Sequence, residues 1–203
     1  MRVLRAQLTA SVCLLPVQKR LSPTRCLILI MGVAGSGKTT LSREILRSVT
    51  AVYLDNNHIA GAFFPDTRRG SKYEKLRPGF YKALYSISEA NLRCGNSVLL
   101  DVPHVKEVQL PQWRRFIRGL AARTKSKLVI IRCLCSEKLL YSRIRARGEK
   151  RDRWKLAHWE EFLSEQPIKT DVPFRHLDID TAKDLSANAS AAIRYILRSG
   201  VKL

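Results

Sequence analysis

No aspartate or glutamate precedes Glu44 in this chain of 203 residues. Acids stay scarce beyond it: 17 Asp+Glu face 37 Lys+Arg, a formal net charge of +20. Such an excess implies an anionic partner without saying which kind. Long hydrophobic runs are also missing. The longest, Cys26 to Ala34, is interrupted by Gly32 and falls well short of the ~20 residues that a membrane-spanning helix needs, so no membrane span is expected. Cysteines are few and unpatterned: Cys13, Cys26, Cys94, Cys133 and Cys135 form no CxxC pair, which removes a zinc framework, and a disulfide scaffold does not suit this size. Cys133 and Cys135, in or beside an apolar run, read as small buried side chains. A reducing, cytoplasmic compartment fits that set. What is there is ordinary for a globular domain: 45% hydrophobic and 27% charged residues, at a length that suits one domain.

Residues 1–25 stand apart. They carry Arg2, Arg5, Lys19, Arg20 and Arg25 and no acid, and read as a basic leader, either a disordered extension or an organelle-targeting segment. A single domain is expected over 26–203. There, short apolar runs read as buried parallel strands at 27–31, 51–54, 97–100, 128–134 and 176–179. Segments with helical spacing separate them, at 40–48, 80–93, 110–123, 137–147, 158–165 and 185–198. Strand–helix alternation predicts right-handed crossovers and an α/β fold, a parallel sheet with helices on both faces.

Gly32-Val33-Ala34-Gly35-Ser36-Gly37-Lys38-Thr39 satisfies G-x-x-x-x-G-K-[ST], directly after a strand and before a helix, which is the context a phosphate-binding P-loop requires. Gly32, Gly35 and Gly37 let backbone N–H groups converge on phosphate oxygens, with Ser36 between them, and Thr40 continues into the helix whose N-terminus favours anions. Lys38 supplies a point charge for the β- and γ-phosphates, and the Thr39 hydroxyl is a ligand for Mg2+. The pattern calls for a nucleoside triphosphate and Mg2+.

Two carboxylates follow strands. Asp101 ends Val98-Leu99-Leu100, the pattern that supports Mg2+ directly or through its water. Asp55 follows the second strand and is then free to accept a proton from an attacking hydroxyl. Ligands of open α/β sheets bind beyond the carboxyl ends of the strands, so both should project over the phosphates. Arg143, Arg147 and Arg151 recur every four residues around Gly148, and read as a lid whose arginines close over a transferring phosphate.

The P-loop at 32–39, Asp55, Asp101, the basic run Arg143–Arg153 and Leu177-Asp178-Ile179-Asp180-Thr181 together resemble the small P-loop kinases, a group that includes gluconate kinase, chloramphenicol phosphotransferase, zeta toxin and polynucleotide 5′-hydroxyl kinase. The resemblance implies a P-loop NTPase three-layer sandwich with five parallel strands in the order 2-3-1-4-5 and an Arg-rich lid. It also implies phosphoryl transfer from ATP with Mg2+, Asp55 as general base, Arg147 and Arg151 on ATP, and an adenine pocket near Asp180–Thr181. No adenylate-kinase form of the loop, no N-K-x-D and no protein-kinase loop motifs are present.

The acceptor segment is expected at 59–77, where Phe63, Phe64, Arg68, Arg69, Tyr73 and Arg77 either clamp a ligand or pack a helical hairpin. His58 and His104 are further candidates. A small molecule bearing a hydroxyl, anionic or neutral, is the expected acceptor, with a nucleic-acid end also open. The alternative is a nucleotide-binding regulatory or nucleic-acid-stimulated NTPase. Arg114–Lys127, acid-free, either lines the acceptor side or is a solvated helix face.

Overall fold

The apolar run Cys26–Met31 forms strand β1, and all six of its side chains are buried. Alternate residues of a strand point to opposite faces, so burial of both sets requires a cover on each side of the sheet. Leu27, Leu29 and Met31 pack with Leu84, Leu92, Trp113, Ile117 and Leu120 on one face. Ile28 and Ile30 pack with Leu41, Ile45, Ala192 and Ile196 on the other. Each fully buried aliphatic side chain contributes about 1.5–3 kcal/mol relative to exposure, so this central strand anchors the whole domain.

The computed structural model describes residues 25–200, and the reading of residues 1–24 as a leader lies outside them. Arg25 already belongs to the fold: its carbonyl accepts from Lys127 N–H at 2.9 Å, and its guanidinium donates to Leu92 O at 2.8 Å. After β1 come α1 (Lys38–Leu46), β2 (Val52–Asp55), α2 (Asn56–Phe63), α3 (Ser71–Arg93), β3 (Val98–Asp101), α4 (Pro111–Arg123), β4 (Lys127–Leu134), α5 (Glu137–Arg147), α6 (Arg153–Ala157), α7 (Trp159–Glu165), β5 (Leu177–Asp180) and α8 (Leu185–Gly200). The five strands are parallel, in the order β2-β3-β1-β4-β5. This is the α/β architecture expected from the sequence. Among the described residues no helix is long and apolar enough to cross a membrane. Cys26, Cys133 and Cys135 are buried and Cys94 is exposed.

The acceptor segment is more regular than its sequence suggests. Helix α3 begins at Ser71, before Pro78, and runs for 23 residues; proline lacks the N–H of a helix interior and ordinarily marks a boundary, which is why only its second half reads as helix. Phe64, Tyr73 and Phe80 cluster against Ala60, so the aromatics chiefly pack the α2–α3 hairpin.

His104, a candidate from its place after β3, is fully buried and outside the site. Its ring stacks on Tyr85 at 5.9 Å and lies 5.0 Å from Trp113. Trp113 Nε1–H donates to Tyr85 Oη at 2.8 Å, and Tyr85 Oη lies 3.1 Å from His104 Nε2. Burial holds the imidazole down to about 4 from its ordinary 6.5. The unfolded chain therefore takes up a proton in that window that the folded chain refuses. This contribution to stability is fully present above about pH 6.5 and is lost as the pH falls towards 4, on the order of 3 kcal/mol. Urea unfolding at neutral and acidic pH should show the loss in the wild type and a smaller one in His104→Asn; equal losses would remove His104 as the cause.

Candidate active site

Gly32, Gly35 and Gly37 all have positive φ, at 139°, 86° and 88°. At Gly32 a Cβ would also stand 2.5 Å from Cys133 O, and at Gly35 2.7 Å from Ile144 Cγ1. Only glycine meets both demands, so the loop is fixed from beneath by β4 and α5. Ser36 is fully buried with an unpartnered hydroxyl, and neither it nor Gly32 lines the cavity above. Ala34, Gly35, Gly37, Lys38, Thr39 and Thr40 do. Lys38 is buried and donates from Nζ to Val33 O at 3.0 Å, which holds its charge against the loop.

The two predicted carboxylates stand side by side because β2 and β3 pair in a register that sets Asp55 opposite Asp101. Thr39 Oγ1–H donates to Asp101 Oδ2 at 2.6 Å. Two oxygen donors of this kind at the head of a P-loop helix suit a hard divalent cation such as Mg2+. Burial raises the Asp101 pKa, Lys38 opposes that, and Asp55 adds to it. Asp55 caps α2, accepting from Asn57 N–H at 2.7 Å through Oδ1. Its Oδ2 accepts from Asn57 Nδ2 at 3.2 Å. An ionised carboxylate has about four acceptor positions, so capping leaves capacity towards the cavity that Asp55 lines.

Tyr53 is a site residue that the sequence reading passed over. Its Oη lies 3.0 Å from Asp101 Oδ2 and 3.3 Å from Asp55 Oδ2, so one phenolic proton bridges the two carboxylates. Burial first, then both carboxylates, push the phenol well above its ordinary range, keeping that proton in place. The signal was available: Tyr53 is two residues before Asp55 and shares its strand face. His58, exposed, meets the Tyr53 ring edge-on at 5.9 Å.

The arginines divide. Helix α5 ends at Gly148, a left-handed C-cap with φ 65°, so Arg151 leaves the face shared by Arg143 and Arg147. Arg143 donates to Thr181 Oγ1 at 2.8 Å and Thr181 O at 2.7 Å, tying α5 to the loop after β5. Arg147 and Lys155 both hold the fully buried Asp152. Arg151 donates to Asn57 Oδ1 at 3.0 Å. Segment 148–165 also reaches across to the α2–α3 loop: Arg69 lies 3.3 Å over the Trp154 ring and pairs with Glu165 at 3.0 Å, and Lys150 pairs with Asp66 at 3.4 Å. Exposed ion pairs of this kind are worth about 0–1 kcal/mol each, so the bridge is cheap to open.

Beneath it lies a cavity of about 990 Å3. Its lining takes in P-loop residues with Arg143, Thr181, Lys183 and Asn188, and also Arg68, Tyr73, Arg77, Tyr81, Glu107 and Gln166. Asp55 and Asp101 lie on its wall with both groups. No residue of α4 lines it. Three arginines of the basic stretch 114–127 are engaged elsewhere: Arg123 grips Glu89 at 2.8 Å, Arg114 donates to Gln109 O at 2.8 Å, and Arg118 lies 4.6 Å over Phe174.

Fold and loop together define a P-loop protein with the architecture of the small P-loop kinases. The family model described as "AAA domain" (AAA_33) matches residues 27–167, and the chain belongs to that family. Among solved structures, a putative kinase from Chloroflexus aurantiacus is 24% identical and superposes with a TM-score of 0.67, covering 88% of this chain and 99% of its own. A sugar kinase from Janibacter is 17% identical at a TM-score of 0.62, covering 86% and 95%. The Mycobacterium tuberculosis APS kinase, in complex with AMPPNP and APS, is 17% identical at 0.58, covering 86% and 98%. At these identities the likeness is one of fold. No curated protein matches the chain significantly.

Proposed function

We propose that the protein is an ATP- and Mg2+-dependent phosphotransferase acting on a hydroxyl of a small molecule. The observation that carries this reading is the placement of Asp55. It stands in register with the P-loop-linked Asp101, yet its carboxylate belongs to the wall of a cavity that runs on into the α2–α3 hairpin. Simple hydrolysis needs no such extension of the cavity; transfer to an acceptor does.

The N–H groups of 33–38 and the Lys38 ammonium bind the phosphates. Thr39 and Asp101 would hold Mg2+, which when bound would supply charge neutralisation for the phosphates. Asp55 accepts the proton of the acceptor hydroxyl as its oxygen bonds to the γ-phosphorus and the bond to the β–γ bridging oxygen breaks, leaving ADP and a phosphate ester. Arg151 on the bridging segment, and Arg147 at the end of α5 that leads into it, counter charge on the transferring group and exclude water when the segment is closed. The loop 180–188 with Arg143 forms the base end of the nucleotide site.

ADP release should stay at background with ATP alone and rise with a hydroxyl compound drawn from sugars, sugar acids, nucleosides, amphenicols and aminoglycosides. Hydrolysis indifferent to all of them but stimulated by DNA or RNA would favour the NTPase reading instead.

A further inference from the structure

Arg68 differs from the cations around it. Arg77 pairs with Glu107 at 2.5 Å, Arg69 with Glu165 at 3.0 Å and Arg151 with Glu149 at 3.2 Å. Among the described residues Arg68 has no salt bridge. Its Nη1 donates to Asn57 Oδ1 at 3.1 Å, the same oxygen that takes Arg151 Nη1 at 3.0 Å. Two guanidinium groups thus converge on one neutral amide. The remaining donors of Arg68, Nε and Nη2, are covered from water and donate to nothing. They form one edge of the guanidinium, the edge that grips two oxygens of a carboxylate, phosphate or sulfate.

From this geometry we infer that the acceptor carries an oxyanion, and that Arg68, assisted by Arg151, takes it by turning its free edge from α2 into the cavity. The inference rests on the phosphotransferase reading and narrows its substrate class. The resting position is weakly held. Covered, unpaired donors on a cation are costly, and burial and the nearby Arg151 both lower the Arg68 pKa. Nη2 rests against Gly61 of α2, where a Cβ would stand at ordinary contact distance, 3.5 Å. Turning towards an anion exchanges one hydrogen bond to a neutral amide for a bidentate, charge-assisted pair.

The position also limits the acceptor's size. Asn57 accepts from Arg68 through Oδ1 and donates to Asp55 through Nδ2, so a single carboxamide separates the anion-binding cation from the proposed base. The oxyanion therefore lies close to the reacting hydroxyl, as in a short hydroxy acid or a phosphate or sulfate ester of a short polyol. A single anionic group fits better than a polynucleotide, because the basic surface of α4 does not reach the cavity.

The test begins with calorimetric titration of inorganic phosphate, sulfate and glycolate into protein saturated with AMPPNP and Mg2+, with ethylene glycol as the neutral partner of glycolate. At least one anion should bind saturably, and ethylene glycol should not. Arg68→Gln should weaken that anion by roughly 10- to 100-fold, the loss expected of a charge-assisted bidentate contact, with AMPPNP affinity unchanged and the ligand-free melting temperature not lowered. Arg68→Lys should fall between. No anion binding, or binding indifferent to Arg68, overturns the inference, as does an acceptor panel led by neutral alcohols or by 5′-hydroxyl oligonucleotides. Anion binding without transfer to any acceptor would overturn the phosphotransferase reading alone.

Discussion

Asp55→Asn should leave nucleotide binding intact and lower phosphoryl transfer by roughly 100- to 10,000-fold, the range contributed by a positioned general base. The substitution separates the two roles that the structure gives this side chain. As the cap of α2, Asp55 accepts from Asn57 N–H through Oδ1, and asparagine caps helices about as well as aspartate. The backbone of 55–58 should therefore stay in place. What the amide cannot do is accept the hydroxyl proton. Its new NH2 also faces the Asn57 Nδ2 and Tyr53 Oη donors that now converge on Oδ2, a local cost that Tyr53 relieves by donating to Asp101 alone. Asp55→Ala loses base and cap together and should cost about 1 kcal/mol of stability besides. Steady-state kinetics with a fixed acceptor, beside ATP-dependent thermal shifts, separate these effects; an Asp55→Asn turnover within a few-fold of wild type would remove the residue as the base.

Lys38→Ala should abolish most of the nucleotide-dependent stabilisation and reduce transfer by roughly 100- to 1,000-fold, the scale for removing one preorganised electrostatic partner of the transition state. Lys38 is buried and donates to Val33 O within its own loop. The ammonium is thus held at the loop before any phosphate arrives, and little reorganisation is needed to engage one. The loop itself is set by glycine conformations and by contacts with Cys133 and Ile144, none of which depend on Lys38, so the variant should remain folded. A melting-temperature shift with ATP equal to that of the wild type would contradict the P-loop assignment.

Much of this frame was legible in the sequence, for physical reasons. A strand covered on both faces must be apolar throughout, so β1 and β3 could be placed to within a residue. The P-loop announced itself because its constraints are local: strand, glycines and helix follow one another in the chain. The side-by-side placement of Asp55 and Asp101 followed from the rule that strand ends share one edge. Features made by contacts distant in sequence were not legible. Pro78 disguised the first turns of α3, which tertiary packing of Tyr73 and Phe80 sustains. The fourfold spacing of Arg143, Arg147 and Arg151 gives one face only if the helix continues past Gly148; Gly148 ends it, and the partners that Arg143 and Arg151 then find, Thr181 and Asn57, are far away in the chain. The lack of an acidic partner for Arg68 depends on which side chains fold beside it, and no spacing rule reports that.

The scarcity of acids reads differently against the structure. Several arginines of the acid-free stretch after α4 begins are taken up by Glu89, by backbone carbonyls and by an aromatic face. Glu89 serves two arginines at once, and the hydrogen bonds from Arg123 and Arg93 hold its carboxyl down to about 2. The cavity is lined by P-loop Lys38 and Arg143 and also by Arg68, Arg69 and Arg77, of which Arg69 and Arg77 are paired with glutamates. Part of the net charge is thus met by local partners, whereas Arg68 has no acidic partner among the described residues.

The central claim, transfer rather than hydrolysis, is tested most directly by following the γ-phosphate of labelled ATP. With a competent acceptor present, the label should appear as an ester on the acceptor hydroxyl, in step with ADP, and Asp55→Asn should suppress ester formation while still binding ATP. Label that appears only as inorganic phosphate, at a rate no hydroxyl compound alters, would contradict the account.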